Sequence, residues 1–233
     1  MKIVAVENIV ASGTPAELLA TEETAPHMSI GTHPVWQAAL TGELPMDQLR
    51  ELVKRVYPVV AGPGRYAFIA KIGVIDREDG TRLFDRLYRV THDPNSDADA
   101  GWRRMAEALG ISGSDLAVAL EDPSPEARDL IDTLRLHGEQ SGAAQAAGVA
   151  WVLERQLPML MGSLADALRE HYGVTEDALS YLRAEAARAD EVKSWVAQLV
   201  DKYFMTADAY TVYEARRAIR ESGCGWTALT EAS

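Results

Sequence analysis

The chain has 233 residues, 47% of them hydrophobic, and a formal charge of −12, which is enough apolar material for one large domain. The acidity and the lack of any Lys/Arg run argue against nucleic acid, whose binding needs clustered cations. A single cysteine, Cys224, excludes an internal disulfide; no apolar stretch approaches the roughly 20 residues that span a bilayer, and the start lacks a full signal-peptide pattern, so a cytoplasmic protein with no membrane partner is expected.

Residues 2–6 read as a lone strand without a partner. Helices follow over 33–41 and 47–57; in the second, Leu49, Leu52, Val53 and Val56 form one stripe and Pro45 suits the start. Pro58 and Pro63 predict a kink or break before helix resumes through 66–72. Further helices are expected over 79–91, 98–109, 125–138, 143–171, 176–203 and 206–221, separated by Gly, Ser, Asp or Pro punctuation. Ser124 before Pro125 is a cap followed by proline in the first turn, Gly173 after Tyr172 is a stop, and Thr175 is a capping hydroxyl for the next start. Pro158 predicts a kink about one turn past Glu154. The pattern is all-α, a compact helical domain over 30–221 with an N-terminal segment 1–29 and a C-terminal tail 222–233 that holds Cys224.

Two acids stand alone in apolar helical stretches, Glu154 and Asp190. A carboxylate on an inner helix face must be paired, protonated, metal-bound or catalytic, because burying it bare costs several kcal/mol. Lys193 lies one turn from Asp190, and an ammonium there competes with any metal for the carboxylate. Arg183, seven residues before Asp190, shares its face and could grip a substrate carboxylate. Structural readings stand beside these: Asp190–Lys193 as an i, i+3 ion pair, and Glu154, Arg155 and Arg188 as an internal bridge. Trp36, Trp102, Trp151 and Trp195 read as core. His137 and His171 sit at helix ends, where the backbone dipole favours imidazolium.

The series from His33 to Pro45, then Trp102 to Gly110, Glu154-Arg-Gln-Leu-Pro158, Tyr172-Gly173-Val174 and Tyr181 to Trp195 resembles the heme-oxygenase-like superfamily over roughly residues 30–220. Its branches include the TenA thiaminases, the oxidase PqqC and the CADD-like non-haem diiron proteins. The resemblance implies a heme-oxygenase-like multi-helix bundle with a central pocket. In the diiron branch the ligands are a Glu-x6-His pair, a lone Glu and a His-x3-Asp-x2-His cluster. This chain keeps the lone Glu as Glu154 and the middle Asp as Asp190, with Ala186 and Lys193 where the branch has histidines. His92 and Asp99, seven apart, are the alternative for the first pair. The thiaminase branch uses a mid-chain cysteine, whereas Cys224 is the only cysteine here, which argues against hydrolysis.

The site expected is therefore a small-molecule pocket with Glu154, Asp190 and Lys193 as catalytic groups and Arg183, Tyr57, Tyr66 and Thr91 contacting substrate. No cofactor is predicted; iron, held by His92, Asp99, Glu154 and Asp190, is the alternative. The chemistry implied is metal-independent acid/base or oxidase-like turnover of a small metabolite in a biosynthetic pathway. The other readings are an iron oxidase with an atypical ligand set and a non-catalytic ligand-binding descendant. Tyr210, Val212 and Tyr213 could supply a homodimer interface.

Overall fold

The computed structural model describes residues 14–22, 30–62, 71–72, 76–82, 85 and 97–231, which are helical with short connections and contain no strand. In chain order the helices are α1 (Pro15–Glu22), α2 (Pro34–Leu40), α3 (Met46–Ala61), α4 (Ala98–Ala108), α5 (Gly113–Glu121), α6 (Pro125–Arg135), α7 (Ala143–Ala150), α8 (Leu157–Tyr172), α9 (Ser180–Ala187), α10 (Ala189–Met205) and α11 (Ala209–Glu231). Residues 77–82 are also helical. The expected strand at 2–6 lies outside the described residues. No helix among the described residues is long and apolar enough to cross a membrane.

At the centre runs α7, whose Ala144, Ala146, Ala147, Gly148, Val149 and Ala150 are all buried. A helix apolar on every side belongs inside a bundle, and small side chains let its neighbours come close. A Cβ added at Gly148 would lie 3.0 Å from the Ala215 carbonyl oxygen of α11. On α7 pack α10 and α11, and α6 covers α11. On the far side α3 packs against α4 and α5, with Leu49, Leu52, Val53 and Val56 buried as the stripe predicts. Pro58 does not end α3: the helix continues to Ala61, and the Gly62 N–H bonds back to the Pro58 carbonyl at 3.1 Å.

Capping follows the sequence in part. Ser124 Oγ accepts from the Ala127 N–H at 3.2 Å, and Gly173 closes α8 in the left-handed region at φ 71°. Thr175 does not cap, because a 3-10 turn, Asp177–Leu179, leads into α9.

Both expected end segments need correction. Within 1–29, α1 packs on α10, with Ala16 and Leu19 buried and the Ala16 N–H donating to Asp201 Oδ1 at 2.8 Å. Residues 222–231 are no tail: they finish α11, and Trp226 and Leu229 lie in the core. Cys224 is exposed on that helix.

Candidate functional site

The single helix expected over 143–171 is three pieces. Between α7 and α8, Trp151–Gln156 form a π-helical turn. Pro158 explains its place. A proline lacks the N–H that would bond the carbonyl four residues back, and its ring collides with that carbonyl, which here belongs to Glu154. Widening the preceding turn relieves the collision, and wide turns of this kind recur at functional sites. Because the turn continues the central helix, Trp151, Val152, Leu153, Glu154 and Arg155 are all buried, Glu154 to 1% exposure. The Arg155 guanidinium stacks on the Trp151 ring at 4.3 Å from its centroid, a cation–π contact that holds the turn's two long side chains together.

The expected helix over 176–203 is also broken, at Arg188, which ends α9 and precedes α10 with φ −104° and ψ 0°. The break decides which acid is interior. Glu185, on α9, is buried to 1% exposure, whereas Asp190 is exposed in the first turn of α10. This corrects the expectation that Asp190 faces inward. Lys193 is half-buried, and the expected Asp190–Lys193 ion pair does not form. Arg188 instead stands 3.9 Å from Glu185. The π-helical turn packs on α10 and α8 packs on α9, so both buried carboxylates belong to one group of helices.

Arg188 also lines a cleft of about 420 Å³ alongside α10, with Glu191, Val192 and Trp195 from α10 and Arg82 and Asp85 opposite. The helix bearing Arg82 is tied to α10 by Asp79, whose buried Oδ2 accepts from Lys202 Nζ at 2.8 Å and from the Tyr203 hydroxyl at 3.0 Å. Lys202 also donates to Asp76 at 2.6 Å. Burial, then the hydrogen bond to Asp79, pushes the Tyr203 phenol up to about 12. The two carboxylates raise Lys202 above the ordinary lysine range.

Other expected residues are scattered. The Arg183 guanidinium bonds Glu176 and Asp166, each at 2.7 Å, near the surface, so two of the chain's own carboxylates occupy it and it does not share a face with an interior Asp190. Tyr57 is buried and its hydroxyl donates to Asp99, which also accepts from Arg103 Nε at 2.9 Å. Burial first, and then the Asp99 contact, raises the Tyr57 phenol far above its ordinary value. Tyr57 and Asp99 are thus brought together, closed by an arginine. Tyr66, Thr91, His92 and His27 lie outside the described residues. Trp36, Trp102 and Trp151 are core, while Trp195 is half-buried at the cleft. His33 caps α2, its Nδ1 accepting from the Val35 N–H at 3.3 Å. His137 is no helix-end cap: it is buried in a second π-helical turn, Leu136–Gln140, with Nε2 at 2.7 Å from Glu221 Oε2.

Sequence reasoning gave Glu185 no place in the site, read Arg188 only as part of a bridge with Glu154 and Arg155, and missed the cleft acids. The signal that was available is the alanine surround of Glu185: small neighbours mark close packing, and a Cβ on Gly162 would lie 3.1 Å from the Ala186 Cβ.

For a metal, the described donors fall short. No three His, Cys, Asp or Glu side chains converge among the described residues. Among the described residues the acids at 1% exposure are Glu154 and Glu185, and Arg188 stands 3.9 Å from Glu185. Two carboxylates without further convergent donors among the described residues do not compose an iron centre, which calls for several oxygen and nitrogen ligands.

Residues 50–216 match the haem-oxygenase-like family model of iron-containing redox enzymes, and the chain belongs to that family. Among solved structures it is similar to a TenA homologue from Pseudomonas syringae pv. tomato strain DC3000, at 18% identity over 93% of this chain and 91% of that one, with a TM-score of 0.73. It is also similar to a TenA homologue from P. horikoshii OT3, at 12% identity over 94% and 97% of the two chains, with a TM-score of 0.65. At these identities the likeness establishes the fold. The search of curated proteins returned no match.

Proposed function

We propose that the chain is an enzyme acting on a small metabolite, with its chemistry in the bundle interior where the π-helical turn, α9 and α10 meet. Glu154 and Glu185 serve as the proton-transferring carboxylates, and Arg188 stands between Glu185 and the cleft by which substrate enters. The observation that carries this reading is the pair of acids at 1% exposure, one of them neighboured by a cation that also faces open space. Withdrawing a carboxylate from water is costly, and a bundle this rich in alanine and leucine has no packing need for two. Desolvated acids are suited to general acid/base catalysis, with Arg188 at the cleft holding an anionic group of the substrate. Asp190 drops out of the catalytic set, and Lys193 remains a charge on the α10 wall.

Purified protein is incubated aerobically with a bacterial metabolite extract, and the mixture is followed by mass spectrometry beside folded Glu154→Gln and Glu185→Gln variants. A compound consumed by the wild type and spared by both variants supports the assignment; undiminished consumption by both overturns it. Family membership favours a second reading, iron-dependent oxidation. Two irons per chain after expression in iron-rich medium, with turnover lost on their removal, would establish that reading in place of the first.

A further inference from the structure

Three large apolar side chains stand in water where α10 ends and α11 begins: Met205, Tyr210 and Tyr213, 72%, 71% and 57% exposed. Val212, expected beside the tyrosines, turns the other way and packs on the core. The solvent side of α11 carries Tyr210, Tyr213 and Arg220, with Arg217 half-buried between them, at intervals of three, four and three residues. That spacing is the narrow seam by which one helix meets another in a coiled coil, and the exposure of the two rings shows that no described element covers it. Neither phenol forms a hydrogen bond, and Arg220 forms no ion pair, among the described residues. The edge of the Arg217 guanidinium is taken by Glu214 at 3.1 Å and Glu221 at 3.3 Å, but its face is a second binding surface. Elsewhere in the chain Arg103 uses both at once, bonding Asp99 at 2.9 Å while its guanidinium carbon lies 5.3 Å from the centroid of the Tyr57 ring.

We propose that two copies of the chain pair along this seam, antiparallel, about a two-fold axis that passes beside position 215. Tyr210 then lies on the partner's Arg220 and Tyr213 on the partner's Arg217, and the symmetry makes each contact twice. Each tyrosine precedes position 215 by as many residues as its arginine follows it, so one axis serves both pairs. A parallel pairing would set tyrosine on tyrosine and arginine against arginine, where like charges repel. At these exposures the two rings offer about 200–300 Å². The arginine stems and Met205 extend the contact toward the roughly 600 Å² per partner of weak, reversible interfaces. A formal charge of −12 on each copy opposes their approach, so the dissociation constant is expected at about 1–100 µM. Neither carboxylate of the interior site takes part.

Sedimentation equilibrium over about 1–300 µM should pass from a species of 25.4 kDa to one of twice that mass. Tyr210→Ala, Tyr213→Ala and Arg220→Glu alter exposed side chains and leave the fold intact, which thermal unfolding of the dilute protein checks. Each removes two symmetric contacts and should weaken the dimer by about tenfold. Exchanging one pair within the chain, Tyr210→Arg with Arg220→Tyr, keeps the contact in reverse order and should recover most of that affinity. The register is read separately. Cys224 is exposed on α11 and is the only cysteine, so spin labels attach there alone; nine residues past the axis, the two labelled positions should stand roughly 27 Å apart along the paired helices, a separation that double electron–electron resonance measures. A monomer at every concentration, association untouched by the three single variants, or labels in contact with each other overturns the proposal. Binding of the monomer to anionic lipid vesicles, lost in the same variants, would assign this face to a membrane and overturns it equally.

Discussion

Replacing Asp79 with alanine should loosen the cleft and destabilise the fold by about 1–4 kcal/mol. Asp79 ties the helix bearing Arg82 to α10 through Lys202 and Tyr203. The Lys202 side chain is 46% exposed and keeps Asp76, so its share of the loss is at most about 1 kcal/mol. Tyr203 is different: its buried hydroxyl loses its acceptor, which costs about 1–3 kcal/mol. In a domain of this size the sum lowers Tm by roughly 2–15 °C. Asp79→Asn, which keeps an acceptor for Tyr203 and gives up only the charge, should cost about 1 kcal/mol. Urea denaturation at pH 7 measures both. Burial of the Tyr203 phenol first, and then the same bond, set a dependence on pH. The Tyr203 phenol titrates near 12, above its ordinary 10.0, so the native state keeps a proton that the unfolded chain has already released. Its contribution is complete below pH 10 and is lost as pH rises toward 12; the raised Lys202 adds in the same sense. The alkaline loss of stability should therefore be shallower in Asp79→Ala. An alanine variant within about 0.5 kcal/mol of wild type, or an asparagine variant equally damaged, would refute the reasoning.

Gly101→Ala should destabilise by about 1–3 kcal/mol, because its Cβ would stand 2.1 Å from the Tyr181 Cβ where α4 meets α9; thermal unfolding reads this directly, and an unchanged Tm would mean the two helices are not in close contact. His33→Ala should cost about 1 kcal/mol through loss of the α2 cap. His33→Asn, which can cap in the same way, should recover most of that in denaturant titration, and equal loss in both variants would shift the weight to the Glu231 contact at 3.3 Å.

Where helical period and capping chemistry act alone, the fold was legible: the α3 stripe, the Ser124 cap and the Gly173 stop are where their residues put them. Helix α5 was not read, although Ser112 and Asp115 form a reciprocal capping box at its start. The end of the chain misled because glycine has two uses. Gly223 and Gly225 fall in the expected tail 222–233, yet a Cβ on Gly225 would lie 2.8 Å from Leu130 Cδ1, so this glycine lets two helices approach and does not stop one. Pro158 announced a disturbance beside Glu154. Its form, a wider turn that keeps the acid buried, depends on what the central helix packs against and is not written in a local pattern.

The identity of the second acid turns on helix phase. Five residues separate Glu185 from Asp190, about 140° on a continuous helix, so the two could not both face one interior. Nothing in the run Ala184 to Ala189 marks a break, and reading straight through it gives either acid an equal claim. Tertiary contact decides between them. Ala186 lies against Gly162 of α8, which turns this stretch of α9 inward and takes Glu185 with it. The chain then restarts after Arg188, and Asp190 and Glu191 fall in the first turn of a new helix, where exposed acids are stabilised by the unpaired N–H groups and the positive end of the backbone dipole. The same restart turns Arg188 toward both Glu185 and the cleft. A break that costs one turn of helix thus keeps one carboxylate dry and leaves others wet, and places a cation between them.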